Sequence, residues 1–290
     1  MKIGILGQQK SWYVTELQNA LARHGMYASC FPIMQLTARV TKSPRIAVCG
    51  DPLDDYDVLI VRAIPGGSLE QIIYRMDALH RLENTGVRIV NSPTAIERTV
   101  DKYFTLALME EAGLPTPRTI VTERFDEAMS GFQELGGDII VKPIFGSEGR
   151  GMVRVSDEDM AYRVFKALEL GRYVYCLQEF VPHGCEDIRA FVIGDKVVAA
   201  MWRKGKTWKT NAAQGAAVAP LDPDDSLREM SVRAARALGA VYAGVDLLAI
   251  GAGKYTLIEV NGIPGWQKLK TATGVDVAEQ LVDYILNEMS

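Results

Sequence analysis

The chain has 290 residues, 48% hydrophobic and 23% charged, an ordinary globular composition with room for two or three domains. A formal net charge of -4 and a pI of about 5.6 give no sign of a surface built for nucleic acid or for an anionic membrane. No apolar run approaches a membrane span, and the Met1-Lys2-Ile3-Gly4 start reads as a strand rather than a signal peptide.

The opening reads β, α, β. Lys2–Gly7 is an apolar strand, Trp12–His24 has helical spacing at Val14, Leu17, Ala20 and Leu21, and Tyr27–Ile33 is a second strand. Residues 36–56 are poorly patterned, with a short strand at Arg45–Val48. Asp57–Val61, a helix over Leu69–Leu82 and a strand at Arg88–Val90 follow. Strands alternating with helices predict a parallel sheet covered on both faces, in a first domain of residues 1–95.

Ser92 and Pro93 read as the N-cap and first residue of a linker helix. Asp101–Ala112 is a further helix, stopped by Gly113-Leu114-Pro115. Strand Arg118–Val121, helix Phe125–Leu135, strands Asp138–Lys142 and Met152–Val155, helix Asp157–Leu168 and strand Tyr173–Phe180 complete a small α+β unit, residues 96–180. Residues 181–290 hold a hairpin, Ile188–Ile193 and Val197–Trp202, turning at Gly194-Asp195. Helix Asp224–Leu238, a second hairpin and a final helix follow, the last with Ala278, Leu281, Val282, Ile285 and Met289 on one stripe.

The second hairpin carries the sharpest chemical signal. Tyr242–Ile250 and Tyr255–Val260 flank Gly251-Ala252-Gly253-Lys254. A symmetric loop centred on Ala252-Gly253 places Asp246 opposite Glu259, with Asn261 on the same face two residues on. A three-residue loop would break that register. Like charges facing each other destabilise a sheet, and the residues around them are nearly all apolar, which argues against a solvated pair. A divalent cation between these hard oxygen donors resolves the conflict.

Other segments are weaker alone. In V-K-P-I-F-G-S-E-G-R-G (141–151), a strand ending at Lys142 enters a loop with Gly146, Gly149 and Gly151, whose backbone can approach phosphate. It is neither a P-loop nor a dinucleotide fingerprint, since a strand follows, and a plain turn has the same composition. Lys102 at a helix start opposes the helix dipole; a bound polyphosphate or simple exposure accounts for it equally. Gln178-Glu179-Phe180-Val181 ends a strand that leaves its sheet, exposing backbone groups able to read an adenine edge, with Asp187 placed to accept from ribose. A solvated edge strand fits too. Residues 203–211 form a basic, loop-like run, usually a solvated face, and lead into small residues 212–217. The cysteines Cys30, Cys49, Cys176 and Cys185 lack CxxC spacing and read as free thiols in a reducing cytoplasm, with Cys176, His183 and Cys185 as ordinary residues.

In order, Lys102, V-K-P-x-x-G-S-E-G-R-G, Q-E-F-V, D-I-R, K-T-N, G-V-D and E-V-N-G-I-P-G resemble the ATP-grasp superfamily of carboxylate–amine ligases, and most closely its RimK-type alpha-L-glutamate ligases. The match spans nearly all of residues 91–290. The resemblance implies an α/β protein of ATP-grasp fold. It has an N-terminal parallel pre-ATP-grasp domain and two α+β subdomains clamping ATP, a lid (96–180) and a metal-bearing C-terminal part (181–290). It implies that Lys102 and Lys142 bind ATP phosphates beneath a loop with Gly146, Ser147, Gly149 and Gly151. Gln178, Glu179, Phe180 and Val181 would hold adenine, Glu179 and Val181 through their backbone, and Asp187 would hold ribose. Asp246, Glu259 and Asn261 would bind Mg²⁺ or Mn²⁺, and Arg189, Arg203, Lys209 and Asn211 are the catalytic candidates.

There are departures. The D-Ala–D-Ala ligase branch carries an Arg where this chain has Gly244, so a charge-stabilising cation must come from elsewhere, Arg189 or Arg203. Ile263 stands where relatives often have Ser, and Trp208 and Lys209 also differ from the common pattern. The expected reaction is ADP-forming: a carboxylate is phosphorylated and an amino acid, L-glutamate or another, attacks the acyl phosphate. The acceptor expected is a small coenzyme of pterin or furan type. A protein C-terminal tail and a catalytically silent ATP-binding module are the rival readings. Loops Gly7–Trp12 and Arg62-Ala63-Ile64, after strands of the first sheet, are where an acceptor should sit. A cytoplasmic homo-oligomer, dimer or tetramer, is expected, with no nucleic-acid or membrane partner.

Overall fold

The structure is a computed structural model that describes residues 1–146, 149–210 and 215–288. The first sheet is parallel, in the order β2 (Ala28–Phe31), β1 (Ile3–Leu6), β6 (Val58–Val61), β7 (Arg88–Val90). Helices α1 (Trp12–Arg23) and α2 (Leu69–Asn84) pack on its opposite faces. Ile3, Ile5, Val58 and Ile60 meet Val14, Leu17 and Leu21 on one side, while Leu6, Leu59 and Val61 meet Met76, Leu79 and Leu82 on the other. Such two-sided burial is why β1 and β6 are continuous apolar runs. Ser11 caps α1 by accepting from Val14 N, and Ser68 with Gln71 forms a capping box on α2. The weakly patterned stretch holds more order than its sequence suggests: β3 (Leu36–Ala38), β4 (Ile46–Val48) and β5 (Asp51–Pro52) form a small antiparallel sheet. Each strand is too short to show a period.

Helices α3 (Pro93–Val100) and α4 (Lys102–Glu111) lead into a second, antiparallel sheet. Its order is β10 (Val153–Val155), β9 (Ile139–Lys142), β11 (Tyr175–Glu179), β8 (Thr119–Thr122), backed by α5 (Phe125–Glu134) and α6 (Glu158–Leu170). The third sheet, also antiparallel, runs β14 (Ala217–Leu221), β13 (Lys196–Lys204), β12 (Glu186–Ile193), β15 (Tyr242–Gly251), β16 (Lys254–Asn261). Helix α7 (Asp225–Leu238) covers one face and stops at Gly239, whose φ of 71° is the left-handed cap that glycine adopts freely. Strand β14 and the short helix α8 (Gln267–Thr273) were not legible in the sequence. The last helix, α9 (Val277–Glu288), packs its stripe of Val277, Ala278, Leu281, Val282 and Ile285 into the core shared with α1. Burial of each large aliphatic side chain there contributes about 1.5–3 kcal/mol. Met289, placed on the same stripe by its spacing, lies outside the described residues.

Candidate active site

The open face of the second sheet and one face of the third line a common cleft, with Ile140, Lys142 and Gln178 on one side and Asp187, Arg203, Asp246 and Glu259 on the other. Register explains which side chains reach it. Cys176 pairs with Lys142 and Gln178 with Ile140, so Ile140, Lys142 and Gln178 share the face opposite the Tyr175–Leu177 core. Buried Lys142 donates from Nζ to Gln178 Oε1 at 2.5 Å, and Gln178 Nε2 donates to Thr119 Oγ1 at 3.0 Å. Burial lowers the pKa of Lys142, with Glu259 opposing the shift. Lys102, at the first position of α4, donates from Nζ to the Gly146 carbonyl at 2.7 Å. Backbone carbonyls thereby receive the cation that the helix dipole disfavours, and they tether the glycine loop to α4. Gly146, Gly149 and Gly151 all have positive φ, and a β-carbon on Gly151 would lie 3.0 Å from Pro143 Cγ. None of Gly146, Gly149 and Gly151 is among the residues walling the cleft. Ser147 and Asn211 lie outside the described residues.

On the third sheet the charges form a row across the strands. Arg203 of β13 is paired with Asp187 of β12, Arg189 of β12 with Asp246 of β15, and Asp246 with Glu259 of β16. The first two pairs are opposite in sign and favourable, the third is like-charged and unfavourable. Arg203 donates to both Asp187 oxygens at 2.6 Å, and its Nη2 lies 3.0 Å from Asp246 Oδ2. Arg189 grips Asp246 bidentately, with Nη2 2.6 Å from Oδ2. Burial would raise the Asp246 carboxyl, but Arg189 and Arg203 outweigh it and hold it below the ordinary range. Glu259 goes the other way: burial first, then the charge of Asp246, push its carboxyl up, against the pull of Lys102, Lys142 and Arg189.

The Asp246/Glu259 register holds although the hairpin is irregular. The tight turn pairs Gly251 with Lys254, one bulge follows at Ala249/Gly251, and a second at Asp246/Leu247 restores the offset. The second bulge also turns both Ile258 and Glu259 toward the cleft, where a flat strand would alternate. Asn261 donates weakly from Nδ2 to Gly244 O at 3.5 Å, which leaves its amide oxygen for another partner. Two facing carboxylates, Asp246 buried and Glu259 half-buried, and an amide oxygen suit a divalent cation. Glu259 and Asn261 would hold it with Asp246, whose oxygens also receive the arginines.

The adenine-edge segment behaves unevenly. Glu179 and Val181 line the cleft, but the Glu179 carboxylate turns to Arg118, accepting from its N at 2.9 Å and its Nε at 2.6 Å. Phe180 faces a neighbouring pocket, under the guanidinium of Arg154 at 3.5 Å. Asp187 lines the cleft yet is only 2% exposed; Arg203 and the Thr210 hydroxyl take three of its roughly four acceptor positions, so it braces Arg203 in this arrangement. Thr210, quoted within the K-T-N motif but not among the candidate site residues, is a further neighbour of Asp187 in the cleft. Lys209 and Trp208 line the cleft, with Lys209 Nζ 5.2 Å from the Trp208 ring. All four cysteines are free thiols, and His183 Nδ1 contacts Glu186 O at 3.0 Å.

Two opposed antiparallel sheets, with Lys142 on one, a carboxylate–arginine row on the other and Lys102 at an adjoining helix start, are the arrangement of an ATP-dependent ligase of ATP-grasp fold. The comparisons agree. Residues 99–285 match the RimK-like ATP-grasp domain and residues 1–96 the RimK PreATP-grasp domain. The chain belongs to the RimK-like ATP-grasp family. It is 33% identical over 293 residues to a tetrahydromethanopterin:alpha-L-glutamate ligase of Methanococcus maripaludis, covering 99% of this chain and 98% of the relative. It is also 33% identical to a probable alpha-L-glutamate ligase of Aliivibrio fischeri, over 98% of this chain and 95% of that one. Among solved structures, the ATP-grasp ligase PsnB complexed with minimal precursor, Mg and ADP superposes with a TM-score of 0.78. At 22% identity over 99% and 97% of the two chains, that likeness speaks for the fold. No helix among the described residues is long and apolar enough to cross a membrane.

Proposed function

We propose that this enzyme joins L-glutamate to the carboxylate of a small, pterin-type coenzyme, through an acyl phosphate. The reading rests on the Asp246/Glu259 pair, facing each other in a cleft that also receives Lys102, Lys142 and Arg203, with Arg189 held against Asp246. The pterin acceptor and the glutamyl donor are taken from the methanogen relative's name. Lys102 and Lys142 bind the phosphates, with the loop of Gly146, Gly149 and Gly151 over them. The backbone of Glu179 and Val181 meets the adenine, between apolar walls such as Ile140 and Leu248. A divalent cation, Mg²⁺ or Mn²⁺, neutralises phosphate charge when bound.

An acceptor carboxylate oxygen attacks the γ-phosphorus and the bond to the β-phosphate bridging oxygen breaks, releasing ADP. The amine of glutamate attacks the acyl carbon, loses a proton, and inorganic phosphate leaves. Arg189 and Arg203 are held by carboxylates beside this point and are pre-aimed at growing negative charge, so little reorganisation is needed. Lys209, on the cleft wall, adds a cation. The division into parts 1–95, 96–180 and 181–290 follows the three main sheets, with the cleft between the last two.

Hydroxylamine tests the intermediate. With ATP, Mg²⁺ and a pterin bearing a terminal carboxylate, hydroxylamine in place of glutamate should yield a hydroxamate, and glutamate should add one glutamyl unit by mass. ADP release without hydroxamate under any active acceptor overturns the acyl-phosphate step. A protein substrate gaining glutamate while pterins do not would overturn the acceptor class.

A further inference from the structure

Arg62 follows β6 in the first sheet and is 8% exposed, yet among the described residues no carboxylate comes within ion-pair distance. Its guanidinium lies instead in an aromatic box, 4.3 Å from the Trp266 ring, 5.1 Å from Tyr13 and 5.7 Å from Tyr242. Nη1 donates to the Tyr242 hydroxyl and Nη2 to the Pro264 carbonyl, both at 2.9 Å. The Tyr242 hydroxyl in turn donates to Val61 O at 2.9 Å. A buried charge without a counter-ion is expensive and is tolerated only where surrounding groups hold it.

Two of these partners, Pro264 and Trp266, belong to one segment. Residues 262–266, Gly-Ile-Pro-Gly-Trp, directly follow Asn261. A β-carbon on Gly262 would collide with Thr99, one on Gly265 would lie 2.6 Å from the Tyr13 hydroxyl, and one on Gly244 2.8 Å from Pro264 Cβ. Asn91, fully buried after β7, donates to Tyr242 O at 2.7 Å and to Gly262 O at 2.5 Å, and accepts from Val241 N at 2.7 Å. The segment after the Asn261 ligand position is thus pinned from the first sheet by Arg62 and Asn91, and it abuts Gly244, beside which Arg189 passes.

We propose that Arg62 is a positioning residue for catalysis: by holding Pro264 and Tyr242 it fixes Asn261 and the strand beneath Arg189 to the first sheet. This rests on the ligase reading above. It is tested with Arg62→Met, which keeps bulk and removes the donors. In the variant, turnover should fall at least about tenfold, a loss typical of misplaced positioning groups. Affinity for a fluorescent ADP analogue in Mg²⁺-free buffer should stay within about twofold, because phosphate and adenine contacts come from other elements. The Mg²⁺ concentration giving half-maximal enhancement of that binding should rise severalfold. A purely structural residue would lower the melting temperature and leave turnover and Mg²⁺ response at wild-type values, and that outcome overturns the proposal. Should Arg62→Met fail to fold, Arg62→Lys and Tyr242→Phe decide it: both are expected to reduce turnover and weaken the Mg²⁺ response, and wild-type behaviour in both overturns it. The Mg²⁺-dependent binding is read without any acceptor, so a wild type that makes no amide product counts against the ligase reading alone.

Discussion

Arg189 occupies the space that a side chain at Gly244 would need: a β-carbon there would lie 3.1 Å from Arg189 Nη1 and 3.2 Å from Cδ. The D-Ala–D-Ala ligase branch takes its cation from position 244 itself. Here the neighbouring strand places Arg189 beside that position, across the ladder from Asp246, and glycine at 244 leaves room for it. Gly244→Ala should therefore displace either Arg189 or Pro264. We expect a stability loss of about 1–3 kcal/mol, as for other overpacked sites, with turnover falling more than nucleotide affinity. Thermal melting beside steady-state kinetics checks both; a fully active variant would mean that Arg189 has no fixed place in the reaction.

Glu259→Gln separates metal binding from folding. Removing a charge that faces the buried Asp246 leaves the metal-free protein at least as stable as the wild type. Turnover should be nearly abolished, because one anionic oxygen is lost from a cation that must neutralise phosphate. Melting curves in EDTA and activity at saturating Mg²⁺ are the two measurements, and wild-type turnover would refute the ligand assignment.

Asp187 can be told apart as ribose ligand or brace. If it braces Arg203, Asp187→Asn lowers turnover at least about tenfold, since the arginine is no longer aimed, while ATP affinity changes little. Stability should fall by less than the about 3–5 kcal/mol of a fully broken buried pair, because Asp246 still faces Arg203. A large loss of ATP affinity with equal binding of 2′-deoxy-ATP would return Asp187 to the ribose.

Far from the cleft, Glu279 of α9 accepts from Arg23 Nε of α1 at 2.6 Å and contacts His24 at 2.9 Å. The Arg23 hydrogen bond holds the Glu279 carboxyl below its ordinary range. A depressed acid contributes stability that is complete above its unfolded pKa, about 4.3, and fades as pH falls through the folded value. At this half-exposed site the contribution is about 0.2–1 kcal/mol and shrinks in salt. Glu279→Gln should remove it at neutral pH and leave melting temperatures alike well below pH 4; a difference that persists in acid would point to packing instead.

Local pattern carried much of this protein. The alternation of apolar strands with helices, Ser92 before Pro93, and the turn at Ala252-Gly253 follow from periodicity and cap chemistry acting over a few residues. The facing of Asp246 and Glu259 was legible for a partly fortuitous reason, since two bulges of opposite offset cancel between turn and site. The tertiary structure alone decided the rest. Strand β14, five residues with a proline, and the short β3 and β5 that flank the expected Ile46–Val48 strand show no period of their own, and their pairing depends on their neighbours. Arg203 was readable as a basic residue, but its burial between Asp187 and Asp246 needs three strands in register. Arg62 among Tyr13, Tyr242 and Trp266 meets a ring 204 positions away, from 62 to 266. No local propensity encodes such a contact; it exists only once the first sheet and the last hairpin share a core.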